Sequence, residues 1–81
     1  MVVSIQFHGV QRSLTGTHEI QMTFLKHYRV RDLLEHVKAC YPDLAINEDD
    51  FLVTVNDNVS TINHILKPND KIAFLPHIGG G

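Results

Sequence analysis

Residues 2–8 alternate along the chain. Val3, Ile5 and Phe7 fall on one side and Ser4, Gln6 and His8 on the other, the two-residue period of a half-buried strand. Gly9 breaks the run, and Ser13-Leu14-Thr15-Gly16-Thr17 reads as a turn region. Alternation resumes with Ile20, Met22 and Phe24 against Gln21 and Thr23, so the two runs predict a hairpin. After Tyr28 the period changes. Val30, Leu33, Leu34, Val37 and Tyr41 are spaced as one face of a helix, with Arg31, Asp32, Glu35 and Lys38 elsewhere. Pro42 supplies the stop, since it cannot continue the helical hydrogen-bond ladder. No clean N-cap precedes this helix.

Residues 43–50 form an acidic connector containing Asn47, Glu48, Asp49 and Asp50. Phe51, Val53 and Val55 then alternate with Leu52, Thr54 and Asn56, which predicts a further strand before an Asn56-Asp57-Asn58 turn. A second turn, Lys67-Pro68-Asn69-Asp70, launches Ile72-Ala73-Phe74-Leu75. Apolar residues on both faces of that run place it inside a sheet rather than at its edge. The expected fold is therefore α+β: a mixed sheet of about four main strands with one helix packed on one face. Residues 1–76 read as the folded domain and 77–81 as a flexible tail.

Composition narrows the function. With 81 residues the chain is one domain with a thin core, leaving little apolar surface to line a deep small-molecule pocket. The net charge is -2 and the nearest thing to a basic cluster is the broken set Lys26, Arg29 and Arg31, which is no stripe for neutralising phosphates. No nucleic-acid partner is expected. Cys40 is the single cysteine, so no intrachain disulfide can form. The start MVVSIQFHG does not resemble a signal peptide, and no apolar run approaches the ~20 residues that span a bilayer. The expectation is a cytoplasmic protein with no membrane partner. Six histidines are present, none paired at i,i+3 or i,i+4, so neither a metal site nor a bound cofactor is expected. Cys40 lies near the helix end at the buried boundary and reads as structural filler rather than a nucleophile.

The tail carries the chemistry. The chain closes on Leu75-Pro76-His77-Ile78-Gly79-Gly80-Gly81, with three glycines directly after the last strand. Glycine is the costliest residue to order and offers no side chain to pack. Such an end is either incidental or reactive. In the reactive case, a tail without Cβ atoms can thread a narrow enzyme channel, and its terminal carbonyl stands unhindered for attack. Ordering inside a partner follows the logic of segments that fold on binding.

A family resemblance favours the reactive reading. Val55-Asn56, Leu66, Asp70-Lys71-Ile72-Ala73-Phe74-Leu75-Pro76 and Gly80-Gly81 resemble the small subunit of molybdopterin synthase. More broadly they resemble the family that joins that subunit with the thiamine sulfur carrier. Tyr41-Pro42-Asp43-Leu44 after the helix resembles the molybdopterin branch as well.

This resemblance implies a ubiquitin-like β-grasp fold. It also implies a sulfur carrier that is not itself an enzyme, whose C-terminal glycine is a co-substrate. A ubiquitin-activating-like adenylating enzyme would spend ATP to make an acyl-adenylate, and a sulfur donor, typically a persulfide, would leave a thiocarboxylate. The large subunit of molybdopterin synthase would then take the tail and receive the sulfur. Carried over by position, Gly81 holds the reacting carbonyl, and Gly79 and Gly80 form the rest of the tail that partners bind. Phe7, Val59 and Leu75 match an apolar patch against partner proteins; parity with Val3 and Ile5 equally allows Phe7 to sit in the core. Asn69 replaces the usual glycine of the turn before the last strand and can still adopt a left-handed conformation. Three alternatives remain: a carrier for thiamine or cysteine synthesis, a ubiquitin-like modifier conjugated to lysines, or an interaction module with incidental glycines.

Overall fold

In a computed structural model, which describes residues 1–25, 27–44 and 51–76, the first alternation becomes β1 (Val2–Gln6) and the second β2 (Glu19–Thr23). They pair antiparallel, with Val3 opposite Met22 and Ile5 opposite Ile20. The mouth of the hairpin is closed twice: the Phe24 N–H donates to the Met1 carbonyl at 2.8 Å, and the Met1 ammonium donates to the Phe24 carbonyl at 3.0 Å.

The region between the strands is not a plain loop. Gly9, at φ 57°, turns the chain out of β1 into a short helix, α1 (Val10–Thr15), which ends on Gly16 in the left-handed region. The periodicity gives no sign of α1, because its apolar residues Val10 and Leu14 are exposed while the polar Gln11 is its buried residue. Amphipathic order is inverted there.

The second helix, α2 (Val30–Cys40), follows the predicted face, burying Val30, Leu33, Leu34 and Val37. Its start, which lacks a conventional N-cap, is held by Asp32. That carboxylate reaches back to accept the Arg29 backbone N–H at 2.9 Å, half of a capping box, and its charge suits the helix N-terminus. Cys40 is exposed rather than at the buried boundary, while Leu44, past the Pro42 stop, is buried.

β3 (Phe51–Val55) runs into β4 (Asn58–Ser60) through a two-residue turn with Asn56 at φ 53° and Asp57 at φ 69°. Positive φ at both positions is the primed turn whose twist suits adjacent strands. β4 makes the sheet five-stranded rather than four, a three-residue strand too short to show alternation. β5 (Lys71–Pro76) lies at the centre of the order β2-β1-β5-β3-β4, parallel to β1 and antiparallel to β3. Ile72 and Phe74 enter the core beneath α2 together with Ile5, Leu33 and Val37.

The acidic residues Glu48, Asp49 and Asp50 and the tail 77–81 lie outside the described residues. Among the described residues no helix is long and apolar enough to cross a membrane, and no group of three His, Cys, Asp or Glu side chains could hold a metal ion.

Candidate functional site

The strand that leads to the glycines is anchored at its start by a dense polar network. Asn69, at φ 70°, takes the left-handed conformation expected of it and delivers Asp70 to a buried position. The Asp70 carboxylate accepts the Lys67 backbone N–H at 2.9 Å and Asn56 Nδ2 at 3.0 Å, with His64 Nε2 at 3.3 Å. Asn56 also accepts the Lys71 N–H at 3.0 Å through its Oδ1, tying the β3–β4 turn to the first residue of β5. Burial pushes the Asp70 carboxyl up, but the hydrogen bonds from Lys67, Asn56 and His64, with the nearby His64 ring, hold it below its ordinary value on balance.

The other end of β5 is held differently. The Asp70 carbonyl accepts from the Ser4 N–H at 2.9 Å on the β1 side, and the Lys71 carbonyl accepts from the Asn56 N–H at 2.8 Å on the β3 side. Backbone groups of even-numbered β5 residues therefore face β1. The β1 pairing stops at Gln6 opposite Ala73, so Phe74 faces a place that β1 has left. Gln11 fills it: its Nε2 donates to the Phe74 carbonyl at 2.9 Å across 63 residues of sequence. The side-chain amide stands in for the next peptide of β1. Its Oε1 is buried and has no hydrogen-bond partner among the described residues. The next backbone nitrogen of β5 on that side belongs to Pro76, which has no N–H to give. A buried acceptor left bare costs about 1–3 kcal/mol.

On the face turned away from α2, register brings two of the three expected interface residues together. Val59 pairs with Thr54, which pairs with Ala73, and Leu52 pairs with Leu75 in the next row of the same face. Val59 is 70% exposed and Leu75 half-buried. Phe7 does not join them. It is 1% exposed, edge-on to Tyr41 with ring centroids 5.7 Å apart, because it continues the inward side of Val3 and Ile5. Its expected place on the patch is corrected to the core. Gly79, Gly80 and Gly81 lie outside the described residues. Sequence reasoning missed Gln11, and no periodic signal could have found a single buried polar residue on an otherwise exposed helix.

The model of the ThiS family matches residues 5–81, all but the first four positions. The chain belongs to the ThiS family. It is thus a member of the ubiquitin-like sulfur-carrier family, as the resemblance implied.

Solved structures of the same β-grasp agree in fold. Molybdopterin converting factor subunit 1 from Pyrococcus furiosus is 24% identical with a TM-score of 0.84, the alignment covering 96% of this chain and 99% of that one. Small archaeal modifier protein 1 from Methanosarcina acetivorans is 22% identical with a TM-score of 0.79, over 99% and 96% of the two chains. A chain of the complex of subunits 1 and 2 of the molybdopterin-converting factor from Helicobacter pylori is 21% identical with a TM-score of 0.66, over all of both chains. No curated protein matches the sequence. In this ThiS-family chain the central strand of the sheet is the one that runs toward the glycine tail.

Proposed function

We propose that this ThiS-family protein is a sulfur carrier, most specifically the small subunit of a molybdopterin synthase, and that the carboxylate of Gly81 is its working group. The observation that carries this reading is the family match itself, which runs through the glycines to residue 81.

The carboxylate oxygen attacks the α-phosphate of ATP on a ubiquitin-activating-like partner enzyme, and pyrophosphate leaves. The resulting acyl-adenylate is an electrophile that the free carboxylate is not, with AMP as a good leaving group. A persulfide donor attacks the carbonyl through its terminal sulfur and AMP departs, giving an acyl disulfide. A second thiolate then takes the donor's sulfur into a disulfide and releases the thiocarboxylate on Gly81. In the assembled synthase, the large subunit receives the tail and the sulfur passes to the cofactor precursor. Gly79 and Gly80 allow the approach, since neither brings a Cβ into a narrow channel. Val59 and Leu75, on the sheet face turned away from α2, supply apolar contact to the partner.

The likeness to a small archaeal modifier protein favours one second reading: transfer of the same acyl-adenylate to lysine amines of other proteins. ATP–pyrophosphate exchange by the purified adenylating enzyme tests the shared first step. Exchange that depends on the carrier is expected, and none with a demonstrably active enzyme would refute both readings. Lysine-linked conjugates surviving a denaturing gel, without thiocarboxylate, would shift the assignment to the modifier.

A further inference from the structure

Gln11 is a buried polar residue whose side-chain oxygen has no hydrogen-bond partner among the described residues. It sits in α1 at 6% exposure, yet a leucine of similar volume would fill the same space without burying an acceptor that has no partner among the described residues. What leucine could not do is hold the Phe74 carbonyl, which Gln11 Nε2 does at 2.9 Å just where β1 stops accompanying β5. Beyond Ala73 the strand keeps its β3 partners, Leu52 opposite Leu75 and Phe51 opposite Pro76, but on the other side the side chain of Gln11 replaces β1. Phe74 lies two residues before Pro76, the last residue of β5, so this hydrogen bond acts on the stretch of strand that leads in sequence into the glycine segment.

We propose that Gln11 is a positioning residue: its carboxamide clamps the end of β5 and so aims the C-terminal chain into the adenylating partner. This rests on the carrier reading above. A carboxamide matches a peptide unit, donor toward one backbone carbonyl and acceptor toward the N–H two residues on. Here the donor half is engaged with Phe74, the acceptor half has no partner among the described residues, and the residue two positions on is Pro76, which has no N–H to donate. The clamp is therefore single-pointed and can be strengthened or removed by design. Because it acts before chemistry, on the fraction of molecules whose tail is aimed productively, its loss raises the carrier concentration needed rather than slowing the bound complex.

The test pairs kinetics with hydrogen exchange. Gln11→Leu is expected to fold with an unchanged or raised melting midpoint. Its KM as the protein substrate of the adenylating enzyme should rise about five- to ten-fold, with kcat within about two-fold of the unsubstituted protein. An unchanged KM in a folded Gln11→Leu protein would overturn the proposal. Pro76→Ala supplies the missing N–H, and that new amide should exchange up to about ten-fold more slowly when Gln11 is present than in the Gln11→Leu/Pro76→Ala double variant. Equal exchange in the two backgrounds would show that Gln11 does not reach the strand end and would overturn the proposal even if Gln11→Leu alone were unstable. Failure of the unsubstituted protein to be adenylated at all would instead refute the carrier reading and with it the aiming role, leaving the exchange result to report on the clamp itself.

Discussion

The two ends of β5 are secured in opposite ways. At the start, one buried carboxylate gathers a backbone N–H, a side-chain amide and an imidazole, and Asn56 adds a further bond to Lys71. At the finish, one side-chain amide holds one carbonyl, and its own oxygen has no partner among the described residues. The start of the strand is fixed by several bonds and its end by one, the contrast on which the proposed aiming role rests. The proposed carrier role needs that division, because the domain would have to stay folded while the glycine segment reacts on another protein.

The sharpest way to separate the two ends is to remove Gly80 and Gly81. The truncated protein should melt with the full-length protein, since neither glycine has a side chain to pack, and should lose adenylation entirely. A truncated protein that still functions would show the tail to be incidental.

At the other end, Asp70→Ala should leave the tail chemistry intact in whatever fraction folds, but lower stability by about 2–4 kcal/mol. The reason is that the Lys67 N–H and the Asn56 amide lose a buried charged acceptor. Denaturant unfolding reads this directly, and a loss under about 0.5 kcal/mol would contradict the network's assigned role.

Between these lies the open face. Val59→Asp or Leu75→Asp should weaken binding to the purified adenylating enzyme by about ten-fold or more, because each would bury an unpaired charge at the contact. Unchanged affinity would remove those residues from the interface.

The smallest effect is the response to acid. The folded-state pKa of Asp70 lies below its unfolded value, so its contribution is fully present above about pH 4 and is lost as pH falls through the folded value. Stability of the native protein should drop across that acidic window more steeply than that of Asp70→Asn. Parallel profiles would assign the acid response to other carboxylates.

Much of the architecture was legible because it is written in periods. Val3, Ile5 and Phe7 share an inward side in sequence and in space, and the same parity that buries Phe7 outweighs its expected place on the patch. The spacing of Val30, Leu33, Leu34 and Val37 marked α2, and the two-sided apolar run through Ile72 and Phe74 marked the central strand. α1 and β4 were not legible. One exposes its apolar residues and buries a glutamine, and the other has three residues with Val59 facing outward. The shared face of Val59 and Leu75 needed the β3 register, a long-range pairing that local pattern does not encode. Gln11 was invisible for the same reason, since its partner lies 63 residues away. The glycines were the opposite case: plain in the sequence, and given meaning by the family to which the chain belongs.

The most direct measurement is the chemical state of Gly81 after reaction. The purified protein, its adenylating enzyme, ATP and a persulfide donor would be combined, the product alkylated, and the adduct mapped by high-resolution mass spectrometry. Alkylation is needed because exchanging one oxygen for sulfur nearly matches the nominal mass of a methionine oxidation. A sulfur-linked adduct on Gly81 that requires ATP is the predicted result. An unmodified Gly81, with an enzyme shown to be active on another carrier, would contradict the account.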